Sequence, residues 1–338
     1  MRQIALLAAL ILVFSSTVTA NPDLVGKDAP GFEIGEYIGG TQPHKSLSEM
    51  KGEVVLVEFF ATWCGPCRAG MPNMSAVHSK FNRPDFHVLA SSQATKDIVQ
   101  RFLYHHPSGV ALDYPILVDS KANWGVTGIP MVYLVGRDGK VAWQGSPSDL
   151  KGMETAIQTA LDAPDPNGPQ FDKKTVGALE SYIKEDFDQL FRATSKLREK
   201  GENAPVADYL DAKAKLSFER YAATVDIYNA RGDYSSASEL LDVMQKKFKG
   251  TPYEPAIETR VKELKDDKDK RAAAKLWSEL HKILADARTG KKASIEDGIK
   301  KLEAFVKKNS NEPAAVEAEA MIRVLARPWD AQEAQSRN

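Results

Sequence analysis

Val54-Val55-Leu56-Val57-Glu58-Phe59-Phe60, then Ala61-Thr62, then Trp63-Cys64-Gly65-Pro66-Cys67 is the stretch from which the fold can be read. The first seven residues are an apolar run of strand length, fit for a buried strand. Helical sequence follows the second cysteine. A strand that turns straight into a helix puts Cys64 at the helix N-terminus, where unpaired N–H groups and the positive dipole end favour a thiolate. Pro66 lacks an N–H and has a fixed φ, which suits a first helical turn and leaves Cys67 one turn in and shielded. Cys64 therefore reads as the attacking sulfur and Cys67 as the resolving one. The chain has no other cysteine, and two sulfurs at this spacing pass two electrons without a bound cofactor.

Two plainer readings compete. Half a zinc site needs two further ligands, and no paired His or Cys group is evident. A purely structural disulfide across two residues closes so short a loop that it restrains little of the unfolded chain.

Around the motif the chain resembles the thioredoxin superfamily. The resemblance implies an α/β thioredoxin-like fold, a central mixed sheet flanked by helices, and an all-α helical domain follows it. Glu58 lies six residues before Cys64, where thioredoxins keep a buried acid that shuttles a proton for the resolving cysteine; here it is Glu rather than Asp. Gly125-Val126-Thr127-Gly128-Ile129-Pro130, followed by Met131-Val132-Tyr133-Leu134-Val135, resembles the segment in which the family holds a cis-proline against the disulfide. The resemblance thus makes Pro130 that proline and leaves the Ile129 backbone free for strand-like pairing with a substrate peptide. Trp63, Gly65, Pro66, Ile129 and Pro130 are the expected substrate-binding residues. Without the resemblance, Glu58 could be an edge-strand acid facing solvent and Pro130 an ordinary turn proline. Arg137-Asp138-Gly139-Lys140 reads as a hairpin turn into Val141-Ala142-Trp143.

Within the superfamily the chain is similar to exported TlpA-like and redoxin proteins. Val25-Gly26-Lys27-Asp28-Ala29-Pro30-Gly31-Phe32, with Leu47 to Gly52, is similar to their N-terminal hairpin, and an extra stretch runs from about Gln93 to Leu117. His105-His106, inside it, reads as a solvated loop pair. One departure stands out: relatives used for cytochrome c maturation often carry glutamate three residues after the second cysteine, and Gly70 stands there instead. The Pro and Thr that precede a single-cysteine peroxidase centre are absent.

Arg2 precedes an apolar run from Ile4 to Phe14, and Val18 and Ala20 are small residues placed for cleavage. Residues 1–20 therefore read as a cleavable signal peptide, with a mature chain beginning near Asn21 and an exported, periplasmic or extracytoplasmic location. An N-terminal membrane anchor is the alternative. No cysteine follows the apolar core to take a lipid, and no other run approaches a membrane span.

At 338 residues the chain suggests two domains. Residues 21–163 form the thioredoxin-like domain, 164–170 a Pro-rich linker, 171–328 a helical domain and 329–338 a tail. Residues 21–163 hold 12 Lys+Arg and 15 Asp+Glu, while residues 164–338 hold 32 and 31. Charge density thus nearly doubles without a net sign, and neither half implies nucleic acid. Leu179, Tyr182, Ile183, Phe187, Leu190 and Phe191 recur at helical spacing. Glu254-Pro255-Ala256 recurs as Glu312-Pro313-Ala314, and Gly232 as Gly290, which resembles helical hairpins of tetratricopeptide type.

The expected activity is thiol-disulfide exchange through Cys64 and Cys67, with no cofactor beyond that redox-active disulfide. Gly65-Pro66 and Ile129 resemble reducing thioredoxins, so reduction of protein disulfides is expected, with a membrane electron donor and a possible protein partner for the helical domain. The alternatives are a disulfide oxidase or isomerase, or a redox-sensing interaction protein.

Overall fold

The computed structural model describes residues 21–39, 43–201 and 203–336; the expected signal peptide lies outside them. The strands are β1 (Phe32–Glu33), β2 (Glu36–Ile38), β3 (Val54–Phe60), β4 (Phe86–Ser92), β5 (Ile116–Val118), β6 (Lys121–Ala122), β7 (Met131–Val135) and β8 (Val141–Gly145). Six of them form one mixed sheet in the order β2-β5-β4-β3-β7-β8, and β1 pairs with β6 separately. β3 runs parallel to β4 and antiparallel to β7, so it is central and all seven of its residues are buried. That is why it reads as a continuous apolar run.

Helices α1 (Gly65–Lys80), α2 (Lys96–His105), α3 (Pro107–Val110) and α4 (Leu150–Asp162) complete this half. Leu56, Phe60, Val88, Ala90, Val132 and Leu134 pack with Met71, Met74, Phe102, Met153 and Ile157 from the helices. Alternate residues Val55, Val57, Phe59, Leu89 and Tyr133 pack on the opposite face with Phe32, Met50 and Trp124. Among the described residues the opening segment bridges to its own return at Glu33–Ser46, with the Ile34 N–H donating to the Lys45 carbonyl at 2.8 Å. Its longer pairings go to β5 and β6, and Val25 and Asp28 bridge to Val141 and Lys140.

The second half is helical: α5 (Val176–Ile183), α6 (Phe187–Glu199), α7 (Ala204–Ala230), α8 (Tyr234–Lys247), α9 (Glu254–Asp266), α10 (Lys268–Ala287), α11 (Lys292–Lys308), α12 (Pro313–Leu325) and α13 (Ala331–Ser336). The recurring sequence pairs fall at matching places. Gly232 and Gly290 both hold positive φ between helices, and Pro255 and Pro313 both open one. Among the described residues no helix is long and apolar enough to cross a membrane.

Three segments gain contacts that the sequence reading did not assign. In the linker, Asp165 accepts a hydrogen bond from the Tyr209 hydroxyl at 2.8 Å. His106, expected in solvent, stacks on Phe102 at 5.1 Å and meets the Trp329 ring edge-on at 4.9 Å. The tail is also docked, since Ala334 in α13 is fully buried in the redox-domain core. There Glu333 binds Arg101 at 2.9 Å, and Arg101 itself is 1% exposed. The partner of the inserted stretch is thus the far end of the chain, which no local pattern records.

Just before β3, Glu53 is buried between His87 (2.7 Å) and Arg220 of α7 (2.7 Å). The two halves are therefore joined both at the inserted stretch and at the residue that precedes β3.

Candidate active site

β3 ends at Phe60 and the chain turns through Ala61 to Trp63 into α1, whose N-cap is Cys64. Cys64 Sγ accepts the N–H of Cys67 at 3.2 Å, which satisfies one of the free donors of the first turn. The two cysteines are disulfide-bonded with their Cα atoms 5.2 Å apart. Cys67 is fully buried and Cys64 is 5% exposed. Gly65 and Pro66, between them, are exposed, and a side chain at Gly65 would meet nothing within 4 Å. Trp63 is half-buried against the helix-side core. The rim of the disulfide is therefore open on the Gly65-Pro66 side and closed on the Trp63 side.

Across from the helix, the Ile129–Pro130 peptide is cis. The Ile129 carbonyl oxygen lies 3.8 Å from Cys64 Sγ. Both residues are half-buried just before β7 begins, so a backbone edge stands beside the Cys64 sulfur.

Glu58 sits on central β3, in register with Ala90 and Val132, and is fully buried. Strand alternation puts it on the face of Leu56 and Phe60, the face that holds both cysteines. The edge-strand alternative therefore does not describe it. Burial pushes the carboxyl up to about 8, offset in part by the Tyr114 hydroxyl, which donates to Oε2 at 3.5 Å. Its Oε1 has no hydrogen-bond partner. A buried carboxyl of this kind takes up and releases a proton near neutral pH.

Sequence reasoning passed over several neighbours. Tyr114 belongs to the inserted stretch, where nothing marks it except its place before a short apolar run. Arg68, next to Cys67, donates to the Thr62 carbonyl at 2.8 Å, and its guanidinium lies 5.5 Å from the centre of the Trp329 ring. The helical half thus touches the residue that braces the loop before Cys64. Gly70 also has a physical reason. A Cβ there would fall 2.5 Å from Pro147 Cγ, and Asn73 donates to the Pro147 carbonyl at 2.8 Å. The loop after β8 occupies the space that a larger residue would need.

Residues 25–144 match the AhpC/TSA family. Thiol-disulfide oxidoreductase ResA of Bacillus thuringiensis (strain Al Hakam) is 30% identical over 125 residues, 36% of this chain and 68% of that protein. Thioredoxin-like protein YneN of Bacillus subtilis (strain 168) is 29% identical over 119 residues, 34% of this chain and 68% of that protein. Among solved structures, a thiol:disulfide interchange protein of the thioredoxin family from Chlorobium tepidum TLS is 23% identical, covers 42% of this chain and 99% of its own, and has a TM-score of 0.30.

Proposed function

We propose that this chain, which belongs to the family of thioredoxin-fold thiol-disulfide oxidoreductases, works outside the cytoplasm as a reductant of protein disulfides. The observation that carries the reading is the Cys64–Cys67 disulfide at the N-cap of α1, with the Ile129 carbonyl 3.8 Å from the Cys64 sulfur. The helix end favours a Cys64 thiolate once the pair is reduced. Burial keeps Cys67 from competing with it.

In the forward direction the Cys64 thiolate attacks one sulfur of a substrate disulfide. A Cys64–substrate bond forms, the substrate S–S bond breaks, and the released thiolate takes a proton from water. The Glu58 carboxylate then accepts the Cys67 proton. The Cys67 thiolate attacks Cys64 Sγ and restores the disulfide, and the displaced second substrate sulfur leaves as a thiolate that takes up the proton Glu58 releases. Two electrons pass to the substrate. A dithiol donor in the membrane would return them, and the leader at residues 1–20 supports that placement. Gly65-Pro66 between the sulfurs and Ile129 before the proline support reduction. The helical half would present this centre to a protein partner.

The test is the reduction potential of the pair in glutathione or dithiothreitol buffers. A value near roughly −270 mV supports the reductant, whereas one near about −120 mV makes the protein a dithiol oxidase and reverses the proposed electron flow. Partner capture that requires Cys67→Ser mixed disulfides supports the enzyme. Capture that survives loss of both cysteines assigns the binding to the helical half.

A further inference from the structure

We propose that Asn21 is a positioning residue for substrate docking: its side-chain amide holds the Thr127–Gly128 backbone, and so sets the Ile129 edge beside Cys64. The inference rests on the reading of Ile129 as the edge with which a substrate peptide pairs.

Asn21 Oδ1 accepts the N–H of Thr127 at 2.8 Å and the N–H of Gly128 at 3.0 Å, and lies 3.3 Å from the Thr127 hydroxyl. Its Nδ2 donates to the Gly128 carbonyl at 2.9 Å. One amide thus engages both polar groups of Gly128, as a paired strand would. Gly128 directly precedes Ile129, whose carbonyl lies 3.8 Å from Cys64 Sγ.

The amide is itself held. Leu24 N–H donates to Gln144 Oε1 at 2.8 Å, Gly26 N–H donates to the Val141 carbonyl at 2.8 Å, and Val25 bridges to Val141 on β8. Residues 21–26 therefore form a strap anchored on β8 that ends on the docking loop. The loop depends on the strap because it is rich in glycine. Gly125 has a positive φ, and a Cβ there would meet the Pro22 ring at 3.4 Å. Glycines lose the most freedom on ordering, so an external clamp has the greatest effect there. If the leader is removed after Ala20, the clamp is the first residue that remains, and cleavage one residue later removes it.

The experiment compares the full chain with Asn21→Ala and Asn21→Asp, the latter keeping the acceptor and losing the donor. Substrates are a cystine peptide, the same peptide N-methylated at the amides flanking its half-cystine, and a small aromatic disulfide. Loss of these bonds is expected to raise KM for the unmodified peptide by about five- to tenfold in Asn21→Ala, with Asn21→Asp between it and the parent. kcat, the reduction potential and the rate with the small disulfide stay at parent values. An unchanged peptide KM in Asn21→Ala overturns the clamp, and so does equal loss on the small disulfide, which would mean general damage to the centre. If N-methylation leaves the parent KM unchanged, the docking edge itself is wrong and the clamp falls with it. If methylation weakens the parent but Asn21→Ala does not, only the clamp is wrong.

Discussion

Replacing Glu58 by glutamine tests the buried carboxyl directly. In the folded protein the group titrates at about 8 instead of its ordinary 4.5, chiefly because burial disfavours the charge. Below about pH 4.5 both folded and unfolded chains hold the proton. Between there and pH 8 the unfolded chain releases it while the folded chain keeps it, so stability falls as pH rises through this window. Above pH 8 both are ionised and the loss is complete. The integrated effect is about 5 kcal/mol. The glutamine amide in the variant cannot titrate, and the cost of burying it, about 1–3 kcal/mol, is the same at every pH. The difference in unfolding free energy between Glu58→Gln and the parent should therefore move by about 5 kcal/mol in the variant's favour from pH 4 to pH 9. Urea unfolding of the oxidised proteins, followed by tryptophan fluorescence at five pH values, measures it, and carbon-13 NMR of the carboxyl gives the midpoint independently. A movement below about 1 kcal/mol, or one in the parent's favour, refutes the desolvation argument. The same variant should slow release of substrate from the Cys64 mixed disulfide, because it cannot take the Cys67 proton.

Other perturbations address the frame around the centre. Gly70→Glu drives a Cβ into Pro147 and should cost about 1–3 kcal/mol, much of it recovered in a Gly70→Glu/Pro147→Gly double variant; additive losses in thermal unfolding would contradict the contact. Arg101→Met strips Asp97 and Glu333 of their shared cation. It should cost about 2–3 kcal/mol, less than a fully buried pair because Asp97 is nearly half exposed. Limited proteolysis should then cut after residue 326 faster than in the parent. Arg220→Ala leaves Glu53 buried with His87 alone and should cost about 2–4 kcal/mol at pH 7. The Glu53 carboxyl is held below its ordinary 4.5 by His87 and Arg220 against the opposing effect of burial. This contribution is full above pH 4.5 and fades as pH falls through the lower folded value, so parent and variant should converge in acid; parallel unfolding curves would exclude the pairing.

The sequence alone determined what is local. The apolar run 54–60, the two cysteines and Pro66 fix a buried strand, a helix start and a sulfur at its N-cap, because backbone hydrogen bonds and side-chain periodicity act over a few residues. The even and odd positions of β3 even assign Glu58 to the cysteine face once the strand is central. Helical spacing marks the second half in the same way, and glycine and proline mark its breaks. Tertiary structure decided the partners. Tyr114 reaches Glu58 across 56 positions, Asn21 reaches Gly128 across 107, and Glu333 reaches Arg101 across 232. A buried or exposed polar group takes whichever partner the folded chain brings near, and that choice leaves no period or spacing in the sequence. Hence local pattern reads His106 as solvated, although it packs against Trp329, assigns the tail no partner, and offers no reason for Gly70, whose space Pro147 fills only in the folded chain.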